Sequence, residues 1–285
     1  LHAVRNVSFD VREGEVVSLI GESGSGKSTI GKMILGLISI TSGAIAFDGV
    51  DVASLRGLEL KEYYRRVQGV FQDPFSSYNP IFKADRVFRL IRDEFYPTVP
   101  AGEWAGRVAA SLRAVGLNPA HCLSKYPHQL SGGQLQRLLI ARALLLKVRF
   151  LVADEIISML DASTRIDVLN LLAELKAGGL SVLFITHDLS LGYYISERAV
   201  ILYRGSVAEM GATELIYDEP LHPYSQMLMA SVPRLDRKWE QVAADVQGNG
   251  RDVPTGCAYY ARCPEGSRYP ACATSSPPLV QVAPD

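Results

Sequence analysis

A chain of 285 residues is one large domain or one domain with appendages, and 48% apolar with 21% charged residues is enough to bury a core. Lys and Arg number 29 against 30 Asp and Glu, a net charge of -1, which argues against a surface built for nucleic-acid phosphates. No stretch of 18 residues lacks a charged side chain, the first fifteen residues mix Arg5, Asp10, Arg12 and Glu13 with apolar positions and do not read as a signal peptide, and four cysteines are too few for a secreted disulfide scaffold, so a soluble intracellular protein is expected. In chain order, residues 7–10 and 16–20 read as strands on either side of the turn Arg12-Glu13-Gly14, and 28–37 as a helix. Ser42-Gly43 turns the chain into a strand at 44–47, closed by Asp48-Gly49. From Lys83 to Leu130 the period becomes helical: Val87, Leu90, Ile91 and Phe95 share one face, Trp104, Val108, Leu112 and Val115 another, with Gly116 as C-cap. Between Gly132 and Gly211 helices and strands alternate, the mark of a parallel α/β sheet, with strands at 150–153, 181–186 and 199–203 and a hairpin through Arg204-Gly205 into 206–209. Beyond Pro233 the composition turns polar and rich in Pro, Ser and Gly, which reads as a linker and a small tail. There is no internal repeat and no heptad pattern.

Two segments carry phosphate chemistry. Gly21-Glu22-Ser23-Gly24-Ser25-Gly26-Lys27-Ser28 has the P-loop spacing G-x-x-x-x-G-K-[ST], with Thr29 next in the following helix. Glycines let backbone N–H groups turn toward phosphate oxygens without a Cβ clash, Lys27 supplies a point charge, the Ser28 hydroxyl is a Mg²⁺ ligand, and the helix aims its positive end at the same anion. A Gly/Ser loop can match this spacing by chance, but an apolar strand before it and a helix after it favour the phosphate reading. Residues 150–155, Phe-Leu-Val-Ala-Asp-Glu, form a buried strand ending in two carboxylates. Asp154 at its end suits Mg²⁺, and Glu155 suits the polarisation of a water attacking the γ-phosphate.

Further motifs give the chain a family resemblance. Leu130-Ser131-Gly132-Gly133-Gln134 resembles the signature sequence of the ATP-binding cassette (ABC) ATPases, about twenty residues before Asp154-Glu155. Gln72, in Val70-Phe71-Gln72-Asp73-Pro74, resembles their Q-loop glutamine and would meet Mg²⁺. Ser158-Met159-Leu160-Asp161 resembles the D-loop, and His187 the switch histidine. A lone Gln in a loop is usually just solvated and a lone His at a strand end a satisfied polar residue, but five elements in order over 21–187 exclude coincidence. The implied fold is an α/β P-loop NTPase of ABC type, with an antiparallel β subdomain, a helical subdomain and a C-terminal extension. Its parts would be 1–82 and 131–218 for the core, 83–130 for the helical subdomain, and 219–285 for the extension. Read physically, Ser131 is a good N-cap, and Gly132 and Gly133 expose N–H groups at the start of a helix running to about Leu146, a second anion site. In the family that site contacts ATP held by the opposite subunit. With one P-loop in the chain, a partner cassette is implied.

Two features depart from the family pattern. Ile156-Ile157 stand where Pro-Thr is usual, which implies altered D-loop packing. An aromatic that stacks on adenine is usual ahead of the P-loop, but residues 1–12 offer only Phe9, which reads as core, so that residue is expected upstream of Leu1 or from elsewhere.

Residues 71–80, His222-Pro223-Tyr224-Ser225 with Gln226 to Pro233, and the tail from Gly256-Cys257 through Arg262-Cys263-Pro264 to Cys272 resemble the ATPases of oligopeptide and dipeptide importers, which also serve oligosaccharides or nickel. The stretch from Lys27 to Gln72 is similar to the second ATPase of such a pair. The resemblance implies an ATPase at the cytoplasmic face of the membrane, in a heterodimer, acting on two transmembrane permease subunits and indirectly on an extracytoplasmic solute-binding protein. In related ATPases a cysteine tail binds a [4Fe–4S] cluster, so Cys257, Cys263 and Cys272 are either cluster ligands or three unligated thiols, while Cys122 reads as a buried small hydrophobe. Two other readings are a soluble ABC ATPase working on nucleic acid or ribosomes, whose coiled-coil or zinc insertions are missing here, and a non-hydrolysing regulatory cassette, against which Lys27, Asp154, Glu155 and His187 argue.

Overall fold

The computed structural model describes residues 2–158, 160–231 and 256–282. Its strands are β1 (Val16–Ile20), β2 (Ala46–Phe47), β3 (Val50–Asp51), β4 (Val67–Val70), β5 (Phe150–Asp154), β6 (Ser181–Thr186), β7 (Arg198–Tyr203) and β8 (Ser206–Ala212). Its helices are α1 (Lys27–Ile34), α2 (Gly57–Arg66), α3 (Arg86–Phe95), α4 (Ala101–Ala114), α5 (Pro119–Cys122), α6 (Gly132–Leu145), α7 (Ala162–Ala177), α8 (Leu189–Ile195), α9 (Thr213–Asp218) and α10 (Pro223–Ala230). The chain divides into two compact units. One comprises Leu1–Val11, Val16–Ile30 and Phe184–Asp285, the other Arg12–Glu15 and Gly31–Leu183. The stretch read as a linker beyond Pro233 lies outside the described residues as far as Thr255, as do Met159 of the D-loop and the end of the 226–233 segment.

In the first unit β1, buried at all five residues, pairs in parallel with β7, from Val17 opposite Arg198 to Ile20 opposite Ile201. Arg204 (φ 45°) and Gly205 (φ 85°) then turn β7 back into the antiparallel β8, a hairpin geometry that needs positive φ at both central positions. Ile20, Ile201, Tyr203, Ile216, Tyr217, Tyr224 and Tyr259 form the core on one side of these strands. Burying a large side chain of this kind contributes roughly 1.5–3 kcal/mol. The segment 7–10, expected as a strand, forms no strand, although Asp10 is ion-paired with Arg198 (3.2 Å). Val7, Phe9 and Val11 are half-buried and Ser8 and Asp10 exposed, so the alternation reports one-sided packing without a ladder of hydrogen bonds.

In the second unit β4 and β5 run parallel, from Val67 opposite Phe150 to Val70 opposite Ala153, and β2 and β3 make a short antiparallel pair. The strand expected at 44–47 is regular only at its last two residues. On α4, Trp104, Val108 and Leu112 are buried, with Val115 beyond its end. Gly116 (φ 70°) closes this helix as expected: Leu117 N–H donates to Leu112 C=O (2.8 Å) and Gly116 N–H to Arg113 C=O (2.9 Å). The buried face of α3 differs from expectation. Phe88 and Ile91 are buried and Leu90 is 53% exposed, because the helix turns toward Trp104, whose indole N–H donates to Phe88 C=O (3.1 Å). Cys122 is buried in α5 as a small hydrophobe. Among the described residues no helix is long and apolar enough to cross a membrane.

Candidate functional site

The glycine-rich loop belongs to the first unit. It leaves the buried end of β1, passes close to β7, and enters α1 at Lys27. At Gly21 a Cβ would lie 2.1 Å from the Leu202 carbonyl oxygen, and at Gly26 (φ 101°) 2.6 Å from that of Ala3, so both positions demand glycine. Gly205 N–H, in the β7–β8 turn, donates to Ser25 C=O (2.9 Å) and fixes the loop to the hairpin. The Lys27 side chain folds back into its own loop, with Nζ 2.7 Å from Gly21 O and 2.9 Å from Glu22 O, and is 5% exposed. Its ammonium thus donates to two backbone carbonyls of the loop it charges. Ser23, Gly24 and Ser28 are exposed, and Glu22 and Thr29 half-buried. The same unit carries His187, exposed just past the buried end of β6. There Asp188 caps α8, accepting from Ser190 N–H (3.0 Å) and Leu191 N–H (3.3 Å).

The second unit carries the rest of the expected residues. Gln72 is exposed in the loop after β4, whose course is set by Asp73: Oδ1 accepts from Phe75 N–H (2.9 Å) and the backbone carbonyl from Ser76 Oγ (2.7 Å). Ser131 is the N-cap of α6, and its hydroxyl accepts from Gln134 N–H (3.2 Å). Gln134 returns the bond, Oε1 accepting from Ser131 N–H (2.9 Å), so the residues form a reciprocal capping box. The spacing Ser-x-x-Gln carries that signal in the sequence. A Cβ on Gly133 would come within 3.1 Å of Thr164 Cγ2, so α6 starts hard against α7.

Asp154 ends β5 buried, at 7% exposure. Glu155 follows at φ 51°, a left-handed conformation that costs a non-glycine residue of order 1–3 kcal/mol and gathers at functional positions. Its carbonyl accepts from Ser158 N–H (3.1 Å) and Oγ (2.9 Å), which holds the turn. Ile156 and Ile157 are buried at 1% and 2%. Asp161 caps α7 and accepts from Ser163 Oγ (2.6 Å), Thr164 N–H (3.1 Å) and Thr164 Oγ1 (2.8 Å), bonds that hold its carboxyl well below the usual carboxylate range.

The tail cysteines lie close together in the first unit. Cys257 N–H donates to Cys272 C=O (2.8 Å), and Cys257 and Cys263 pack against the tyrosine core. Burial, then the neighbouring thiols, push the Cys263 thiol up against the pull of a Glu265 backbone hydrogen bond. Among the described residues no group of three or more His, Cys, Asp or Glu side chains is placed to hold a metal ion. The donor set does not fit a [4Fe–4S] cluster, which is ordinarily held by four thiolates.

Comparison with known proteins matches residues 4–158 to the ABC transporter family and residues 208–272 to the oligopeptide/dipeptide transporter C-terminal region. A putative peptide import ATP-binding protein of Brucella ovis is 41% identical over 288 aligned positions, covering 100% of this chain and 90% of that protein. A dipeptide transport ATP-binding protein of Lactococcus lactis is 46% identical over 237, covering 82% of this chain and 76% of that protein. Among solved structures, an ATP-binding cassette captured as a dimer after hydrolysis with ADP and Pi superposes with a TM-score of 0.67 at 31% identity, covering 74% of this chain and 90% of that one. The cbiO1 subunit of Clostridium perfringens, part of the ABC transporter complex cbiONQ, gives 0.67 at 26% identity, covering 76% and 85%.

Proposed function

Given that this chain belongs to the ABC transporter family and is an ATP-hydrolysing cassette, we propose that it powers a peptide or dipeptide importer. The observation that carries this reading is the union, in one chain, of the cassette region at 4–158 with the oligopeptide/dipeptide transporter region at 208–272. The names borne by its relatives in Brucella and Lactococcus support the same substrate class.

In this proposal the N–H groups of 21–28 and the Lys27 ammonium bind the phosphates of ATP. Ser28, Gln72 and Asp154 would hold Mg²⁺, which when bound would supply positive charge against the phosphates. Glu155 takes the proton of the attacking water and His187 contacts the reacting phosphate. Ser131, Gly132, Gly133 and Gln134 meet ATP bound to a second cassette subunit, so that closure of the pair creates two complete sites. Two permease subunits convert that closure into transport, and a solute-binding protein delivers peptide to them. The chain then works peripherally at the cytoplasmic face, with 1–82 and 131–218 as catalytic core, 83–130 as the helical subdomain that meets the permease, and 219–285 as the extension. A cluster on Cys257, Cys263 and Cys272 is left out of the proposal, because the donors do not fit one.

The test is the ATPase rate of the purified chain alone, with its permeases in membranes, and with ribosomes or DNA. Stimulation by permeases supports the proposal. Stimulation only by nucleic acid or ribosomes replaces it with the soluble alternative.

A further inference from the structure

The phosphate loop contains an acidic residue, Glu22, whose carboxylate would repel a bound triphosphate if its charge stood alone. It does not stand alone. Arg262, in the C-terminal extension, places Nη1 3.1 Å from Glu22 Oε1 and 3.2 Å from Oε2. The main chain of the same residue is also engaged, because Glu22 N–H donates to the Tyr224 hydroxyl (3.0 Å). One residue of the loop is thus held twice, by two side chains some 200 residues away in sequence.

Both holding groups are themselves fixed. Tyr203, Tyr224 and Tyr259, from β7, α10 and the tail, meet ring to ring with centroids 4.6, 5.1 and 5.4 Å apart. All three are buried, Tyr224 completely. The Arg262 guanidinium lies 6.0 Å from the Tyr203 ring centre and 5.9 Å from that of Tyr259, and Nη2 is 3.8 Å from Met227 Sδ. The tail that presents Arg262 is tightly closed: a Cβ on Gly256 would lie 2.4 Å from the carbonyl oxygens of both Cys272 and Ala273. Arg262 therefore reaches the loop from a fixed platform.

We infer that Arg262 and Tyr224 are positioning residues for nucleotide binding: the C-terminal extension braces the phosphate loop at Glu22 and cancels the charge that this carboxylate would set against ATP. A pair this exposed contributes little to folding, with 21% of the Arg262 and 42% of the Glu22 side chain accessible. Its consequence lies in where the carboxylate is held. The inference rests on the reading of 21–28 as the ATP phosphate site, and it gives the extension a role in ATP affinity separate from any role in assembly.

The experiment measures MgATP affinity of the full chain, by competition with a fluorescent ATP analogue, together with thermal midpoints. Arg262→Gln should weaken binding about three- to tenfold with its thermal midpoint little changed. The same change made in an Glu22→Gln background should leave affinity within about twofold of Glu22→Gln alone, because no charge is left to cancel. Tyr224→Phe, which deletes only the hydroxyl, should also weaken binding. Lys27→Ala is the control for the underlying site: if it leaves binding intact, the phosphate reading of the loop fails. If Lys27→Ala abolishes binding while Arg262→Gln changes nothing, or changes it equally in both backgrounds, the brace is wrong and Arg262 is only a structural contact of the tail.

Discussion

Alanine at Gly26 should disable nucleotide binding far more than alanine at Gly24, although the two glycines sit two residues apart in the same loop. Gly24 has φ 81° and open space around the position of a Cβ, so Gly24→Ala bears only the cost of a left-handed backbone, about 1–2 kcal/mol. Gly26 has φ 101° and a Cβ there would stand 2.6 Å from the Ala3 carbonyl oxygen, a backbone atom that cannot rotate away as a side chain does. Overpacking of this sort adds about 1–3 kcal/mol, for a total of about 2–5 kcal/mol. The loop escapes that cost by shifting, and ATP must then restore the binding geometry. At 1.4 kcal/mol per tenfold, affinity falls on the order of 30- to 3,000-fold, against about tenfold for Gly24→Ala. Calorimetric titration of the full-length variants with MgATP measures the difference, with circular dichroism to confirm folding. Equal affinities for the two variants would refute the argument from the Ala3 contact.

Glu155→Gln keeps the shape of the side chain but cannot take a proton, so ATP should still bind while turnover in the assembled transporter falls on the order of 10²- to 10⁴-fold; near-normal turnover would remove Glu155 as the base. Ser131→Arg should leave ATP at this chain's own P-loop and block closure onto the partner's ATP, whereas Lys27→Ala should empty this chain's own site; occupancy of each site after vanadate trapping distinguishes them, and the reverse pattern would overturn the arrangement in trans. His222 caps α10, its Nδ1 accepting from Tyr224 N–H (3.0 Å), and burial holds its pKa below the ordinary 6.5 against the raising effect of Glu209. The neutral form is favoured in the fold, so this cap's contribution, about 1 kcal/mol, is present above pH 6.5 and lost as pH falls through the lower folded value. Thermal midpoints from pH 7.5 to 5 should therefore drop less steeply in His222→Asn, which caps without titrating; parallel curves would exclude His222 as the titrating group.

Much of this molecule can be read from residue types at fixed spacing. The P-loop, the strand ending in Asp154-Glu155 and the cap at Ser131 are each local, because a few neighbouring residues supply the turn, the strand or the helix start. What stays hidden is long-range. The alternation at 7–10 is the same whether or not the segment joins a sheet, and only the fold shows that it forms no strand. On α3 the pattern permits two apolar faces, and Trp104 decides which one is buried. The left-handed backbone at Glu155 has no composition signal, since glutamate is an unusual residue to find there. Arg262 was invisible as a partner of the phosphate loop because 240 residues separate it from Glu22.

The most direct test of the central claim is uptake of labelled peptide by proteoliposomes containing this chain with the proposed permease subunits and a second cassette subunit, the solute-binding protein and ATP being supplied from the appropriate sides. The account predicts uptake that requires ATP, hydrolysis that rises when peptide-loaded binding protein is added, and loss of both with Glu155→Gln in this chain. Hydrolysis that proceeds at one rate with and without peptide, and with no peptide accumulated, would contradict it.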